Sequence, residues 1–202
     1  MHRAASAPPV SRPRVWRRCR RAAAWLARAV PLLLVLWLMP LARAAEPQLT
    51  TFELVSNEEG LLLTYAINGE LSRSVDDALG KGVPLFFVAE AELFRDRWYW
   101  RDRRVADAVR VWRIAFQPLT STYRVTFGGL SQNYNTRYEA FAAISRASRW
   151  KIAEPGQLED GSRHYIEFSY RLDTSQLPRP LQIGIGGQAD WNFSVQRSQR
   201  IN

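Results

Sequence analysis

The sequence predicts a mainly β protein, an antiparallel β-sandwich or open barrel with about two short helices, following an N-terminal signal peptide. Three observations carry this expectation. Apolar residues alternate with period two over several long stretches, Gly and Pro clusters punctuate the chain between them, and a helical spacing of three and four emerges in only two places.

Taken in order, Thr50 to Ser56 and Leu61 to Asn68 are apolar-rich and flank Asn57-Glu58-Glu59-Gly60, which reads as a hairpin. Leu71 to Leu79 reads as a short helix, with Ser74 and Asp77 at capping-box spacing and Gly80 just past its end. Val83 to Phe94 alternates, placing Val83, Leu85, Phe87, Ala89, Ala91 and Leu93 on one face and Glu90 and Glu92 on the other. Val105 to Phe116 is a second long strand with Ala106, Ala108, Trp112, Ile114 and Phe116 on one side. Its other side carries Val105, Val109, Val111 and Ala115, which suggests a central position in a sheet.

Thr122 to Phe127 follows the Pro118 loop, and Gly128-Gly129 closes this meander. Between Asn135 and Trp150 the spacing of Tyr138, Phe141, Ala142, Ser145 and Ser148 or Arg149 is helical, and Thr136 with Glu139 supplies a capping box. His164 to Asp173 alternates again until Pro178 and Pro180 stop it. Trp191, Phe193 and Val195 then alternate in an expected final strand. The total is seven or so strands, with no internal repeat and no interior linker.

The formal charge of the 202-residue chain is +9, with 28 Lys plus Arg and 19 Asp plus Glu. Nine of those bases, all Arg, lie in residues 1–44 beside no acid, which leaves 19 bases against 19 acids in residues 45–202. The body is therefore electrically neutral. Within the leader, the apolar stretch Ala29 to Met39 is followed by Pro40 and the small-any-small run Ala42-Arg43-Ala44. This is the layout of a secretory signal peptide, with cleavage expected between Ala44 and Ala45. The competing reading is an uncleaved N-terminal anchor, which reaches spanning length only by enclosing Arg28. The domain organisation expected is thus 1–44 as signal peptide or anchor and 45–202 as one all-β-type domain. The location expected is the periplasm, or else the inner membrane with the body facing the periplasm. The single cysteine, Cys19, falls in the leader, so the body has no disulfide, thiol nucleophile or cysteine-held metal.

Few groups in the body carry recognisable chemistry. The run Phe94 to Arg104, FRDRWYWRDRR, concentrates five Arg, two Asp and three consecutive aromatics. In an exported protein this reads either as a hairpin crossing with Arg and Asp paired across strands, or as a tip that binds a partner through Arg97, Trp98, Tyr99, Trp100 and Arg101. Arg179, set between two prolines, and Trp191 are further binding candidates, with local packing as the competing reading. Gly184-Ile185-Gly186-Gly187 lacks the strand-loop-helix setting of a phosphate loop. The acidic pairs Glu58-Glu59, Asp76-Asp77 and Glu159-Asp160 read as solvated. His164 is the only histidine of the body and is expected at the surface, without a nucleophile motif around any serine. No catalytic residue, cofactor or metal is expected, and no nucleic acid.

The pieces Arg171-Leu172-Asp173-Thr174-Ser175-Gln176-Leu177-Pro178-Arg179-Pro180 and Asp190-Trp191-Asn192-Phe193-Ser194 are distinctive. Together with Arg97-Trp98-Tyr99-Trp100 and Gly128-Gly129-Leu130, they resemble an exported proteobacterial family known as a domain of unknown function (four-three-nine-zero), sometimes labelled a proline-rich signal-peptide protein. The resemblance covers most of the body and implies no activity or catalytic residue. It does imply a gene neighbourhood beside a membrane sensor kinase of the nitrogen-regulation type, and hence a role in envelope sensing.

The function expected is that of an exported, non-catalytic β-sandwich binding another envelope component, an envelope protein or a membrane sensor kinase, and touching the membrane only through an uncleaved leader. Two alternatives belong to other classes. One is an envelope glycan hydrolase working through paired carboxylates, and the other is a sensor domain for a small ligand acting with a membrane kinase. The leader reading is checked by the intact mass of the protein from an envelope fraction. A chain starting at Ala45 is expected, and one starting at Met1 identifies an anchor.

Overall fold

The computed structural model describes residues 46–97, 101–158, 162–179, 182 and 189–201. The expected leader with its Ala44/Ala45 junction lies outside them, as do Trp98, Tyr99, Trp100, Glu159, Asp160, Pro180, Gly184, Gly186 and Gly187.

Nine strands and two α-helices occur among the described residues. β1 (Gln48–Asn57) and β2 (Gly60–Asn68) form the first hairpin, and α1 (Arg73–Gly80) follows. β3 (Leu85–Arg95), β4 (Arg103–Gln117), β5 (Thr122–Phe127) and β6 (Leu130–Tyr134) make a meander. α2 (Arg137–Ile144), β7 (Arg146–Ala153), β8 (His164–Leu172) and β9 (Ser194–Ile201) complete the chain. The strands build two sheets that do not close into a barrel, one ordered β1-β2-β7 and the other β6-β5-β4-β3-β8-β9. Every pairing is antiparallel. The arrangement is the sandwich-like, mainly β class that the alternation predicts.

Alternation decides what faces inward. On β3, Leu85, Phe87, Ala89, Ala91 and Leu93 are all fully buried, while Glu90 and Glu92 point the other way and are only half-buried. Ile166, Phe168, Tyr170 and Leu172 of β8 and Leu61, Leu63, Tyr65 and Ile67 of β2 join them in one continuous core. The sheets meet through rings: Phe52 packs 5.5 Å and Tyr65 4.8 Å from Phe168, centroid to centroid. Such tilted contacts add about 0.5–1.5 kcal/mol each beyond the area that they bury.

Several local expectations are corrected. α1 begins later than expected and is capped by Ser72, whose Oγ accepts the Val75 N–H at 3.3 Å. Ser74 instead donates its hydroxyl to Asp190 Oδ2 at 3.0 Å, tying α1 to the turn before β9. Gly80 is still helical, and the left-handed residue is Gly82 (φ 85°). The capping box Thr136/Glu139 is present, but α2 stops at Ile144, and residues expected to continue it form β7. The reason is a bulge. Arg149 adopts φ 49° and its N–H donates to Thr64 Oγ1, so the buried residues fall at Ala147, Trp150 and Ile152. One extra residue thus converts a period of two into a spacing of three, which imitates a helix.

Strand β6 carries no apolar alternation and is nearly all exposed, so it had no signal; Gly128 (φ 54°) and Gly129 (φ 84°) form the two-residue turn leading into it. Trp191 belongs to a 3-10 turn, Ala189–Trp191, and the final strand starts at Ser194. β4 is central in its sheet as expected, but Val109 and Val111 on its outer face are 52% and 40% exposed. Among the described residues no helix is long and apolar enough to cross a membrane.

Gly60 sits where the first hairpin meets β7, with φ 112°, and a Cβ on it would lie 2.1 Å from the Ala153 carbonyl oxygen. Gly60→Ala must therefore strain the backbone and push β7 away. A loss of about 3 kcal/mol is expected in urea unfolding.

Asp173 begins the turn after β8 and accepts from Ser175 N–H (3.0 Å), Ser175 Oγ (2.6 Å) and Gln176 Nε2 (2.7 Å). Desolvation pushes its carboxyl up, but these bonds and the charge of Arg171 outweigh that and hold it below the ordinary value of 3.8. A depressed carboxylate stabilises the fold above its unfolded pKa and loses that contribution as pH falls through the folded one. Wild type and Asp173→Asn are therefore expected to converge in stability below about pH 4, as read by urea midpoints across pH.

Candidate functional site

The β3–β4 hairpin end is held in place by β8. Phe94 and Tyr165 stack with centroids 5.3 Å apart and planes 15° off parallel, as their opposed positions on β3 and β8 require. Asp96 N–H donates to the Arg163 carbonyl at 2.9 Å. Asp102 then accepts from the Arg97 backbone N–H (3.1 Å) and from the Tyr165 hydroxyl (2.8 Å). Among the described residues the expected pairing of Arg with Asp across this crossing does not involve Asp102, whose oxygens accept from a phenol and a main-chain amide instead. Arg104 does pair, with Glu92 at 2.6 Å. Arg97, Arg101 and Arg103 form no ion pair among the described residues, and Arg101 and Arg103 are exposed. Trp98, Tyr99 and Trp100, the aromatic members of this candidate, lie outside the described residues.

The other sequence candidates separate. Arg179 is exposed, whereas Trp191 is 7% exposed and belongs to the core, so its indole serves packing. His164 is not at the surface as expected but 4% exposed, at the inward-facing first position of β8. Its Nε2 has no hydrogen-bond partner among the described residues, and neither a serine nor a carboxylate bonds to it there. Of the acidic pairs, Glu159-Asp160 lies outside the described residues, while Glu59 bridges to Arg149 at 2.7 Å and Asp76 to Arg137 on the surface.

Carboxylates gather on the outer face of the larger sheet, where Glu90, Glu92 and Glu167 line an open depression of about 420 Å³. Glu92 stands directly opposite Glu167, yet Glu92 is held by Arg104 and Glu90 by Arg171 at 3.0 Å. A glycosidase pair needs two acids facing one another across a substrate cleft, and these project side by side from a sheet face. A more enclosed pocket of about 270 Å³ lies between the end of β2 and α2, with Ile67, Leu71 and Phe141 in its lining. Its rim arginines are engaged, Arg137 with Asp76 and Arg146 with the Ala142 carbonyl. Among the described residues no group of His, Cys, Asp or Glu could hold a metal ion.

One group was overlooked in the sequence. Arg110 occupies the inner-face register of β4, between Ala108 and Trp112, where every other named neighbour is apolar. Its guanidinium carbon lies 5.0 Å from the Trp150 ring centroid and 5.5 Å from that of Phe127. The available signal was a lone cation in the apolar phase of an alternating strand. That pattern is easily passed over, because a single polar residue does not break a period of two.

The hairpin anchor has a measurable consequence. Burial, then the bond to Asp102 and the charges of Asp102, Glu167 and Asp96, push the Tyr165 phenol from 10.0 up to about 12. The neutral phenol is the form that donates to Asp102, so its contribution is complete below pH 10 and is lost as pH rises towards 12. Ultraviolet titration of the phenolates should show a late-titrating tyrosine that is missing in Tyr165→Phe, and that shifts down towards 10 in Asp102→Asn.

No curated protein and no solved structure matches this chain. A family model does match, over residues 44–201, which takes in both sheets, both helices and the hairpin end. On that match the chain belongs to the family described as Domain of unknown function (DUF4390).

Proposed function

We propose that this chain is an exported, non-catalytic binding domain of the cell envelope, which holds another envelope component through the β3–β4 hairpin end. The observation that carries the reading is the set of arginines Arg97, Arg101 and Arg103, which form no ion pair among the described residues, beside an Asp102 that accepts from Tyr165 and a backbone amide. Unpaired guanidiniums on a braced hairpin present in-plane donors to an acidic partner surface, and arginine beside tryptophan and tyrosine is the composition that dominates protein interfaces. The Arg-rich, acid-free leader supports export to the periplasm, or anchoring in the inner membrane with the domain facing outwards. The partner is an envelope protein or the periplasmic part of a membrane sensor kinase, and its contact surface is acidic.

The hydrolase reading receives less support, because two of its three clustered carboxylates are neutralised by arginine on an open face.

Crosslinked capture from envelope fractions tests the proposal, using the full chain and a variant carrying Arg97→Ser, Arg101→Ser and Arg103→Ser. A second variant carries Trp98→Ala and Trp100→Ala. Wild-type capture is expected to weaken at about 0.5 M salt, where screening acts within a few ångströms, and the arginine variant to capture less at every salt concentration. Equal capture by folded variants would remove the hairpin end as the contact.

A further inference from the structure

We infer that Arg110, close to the rings of both Trp150 and Phe127 on the inner face of the larger sheet, is the anion seat of a binding site for a small apolar monocarboxylate. This goes beyond the hairpin reading and stands apart from it, since no residue is shared.

The argument begins with what Arg110 lacks. It is half-buried on the inner face of its sheet, yet it forms no ion pair or side-chain hydrogen bond among the described residues. Desolvation lowers its pKa, and the neighbouring Tyr65 offsets this only in part. A guanidinium at this depth ordinarily has a carboxylate beside it, because an unpaired charge withdrawn from water is unfavourable. Here its neighbours are rings, at 5.0 and 5.5 Å. A cation–π contact involves the charge of the guanidinium and the ring face, and it supplies no acceptor to the five N–H donors.

A second observation lies beside it. Tyr65 is 1% exposed, and its hydroxyl has no hydrogen-bond partner among the described residues. Its ring contacts the same Trp150, 6.1 Å between centroids, that carries the Arg110 guanidinium. One indole thus has on it a half-buried guanidinium with no ion pair and a buried hydroxyl with no acceptor among the described residues, and the latter is unfavourable in a purely structural core.

The chemistry of the surroundings selects the ligand. A planar carboxylate accepts two parallel N–H bonds from a guanidinium edge. A single cation, with no other over either ring among the described residues, suits a monoanion better than a phosphate dianion. Next to the seat the surface is apolar: Phe127, which touches Arg110, is 38% exposed, and Leu130, directly opposite it on β6, is 79% exposed. A hydrocarbon group attached to the carboxylate would cover both.

Calorimetric titration of the full chain tests this with phenylacetate, its neutral analogue phenylacetamide, and acetate, which supplies the head group alone. Phenylacetate is expected to bind saturably, with phenylacetamide and acetate each weaker by at least about tenfold, since a charge-assisted bond and a buried ring are each worth that factor or more. Arg110→Gln should lose phenylacetate binding. Arg110→Lys, which keeps the charge, should bind it measurably but more weakly. Phe127→Ala should weaken phenylacetate without changing acetate. Absence of saturable heat at millimolar phenylacetate, equal affinity for acid and amide, or unchanged binding by Arg110→Gln or Arg110→Lys would each overturn the inference. Circular dichroism of each variant separates loss of the site from loss of the fold.

Discussion

The structure depends on an aromatic layer between two sheets that no disulfide cross-links. Tyr65 projects from the smaller sheet onto Phe168 and Tyr170 of the larger, with centroids 4.8 and 6.3 Å away. Phe87 then stacks on Tyr170 at 5.8 Å and meets Phe141 of α2 and Phe193 edge-on. On β3 the residues beside Tyr170 and Phe168 are Ala89 and Ala91. Those small side chains leave the depth that the Tyr65 ring fills, and with no cysteine in residues 45–202 this complementarity is what joins the sheets.

Burying tyrosines in such a layer brings hydroxyls inside with them. Tyr170 settles its own by donating to the Ile144 carbonyl at the end of α2, 3.3 Å away, which also fixes where that helix stops. Tyr65 has no such acceptor among the described residues, and burial pushes its phenol well above the usual range, with the charge of Arg110 pulling it back in part. Among the described residues the Tyr65 hydroxyl, like His164 Nε2, is thus a buried polar atom without a hydrogen-bond partner. The hairpin end shows the opposite economy of contacts. There Asp102, Tyr165, Asp96 and Arg163 are joined by hydrogen bonds that brace the backbone, while Arg101 and Arg103 are exposed.

Much of the fold was legible because alternation is a local property. Strands β3, β4, β5 and β8 could each be placed, with their inward faces, from their own residues. β7 was not, since the left-handed Arg149 adds a residue to its count, and β6 was not, since Ser131, Gln132 and Asn133 face water on an edge and alternate nothing. The caps divide in the same way. Thr136 and Glu139 form a box closed within four residues, whereas the hydroxyl of Ser74 bonds to Asp190, 116 positions away.

The candidate sites follow that division. By itself the sequence determined the mainly β class, the neutral charge of residues 45–202, and the inward set of the longer strands, because each depends on composition or on neighbours two residues apart. Only the tertiary structure decided that Asp102 serves Tyr165 across 63 positions instead of an adjacent arginine, that His164 and Trp191 are buried, and that Arg110 lies between rings from β5 and β7. The physical reason is that a side chain's partner is set by which strands pack together, and the pairing of two sheets leaves no periodic trace along the chain.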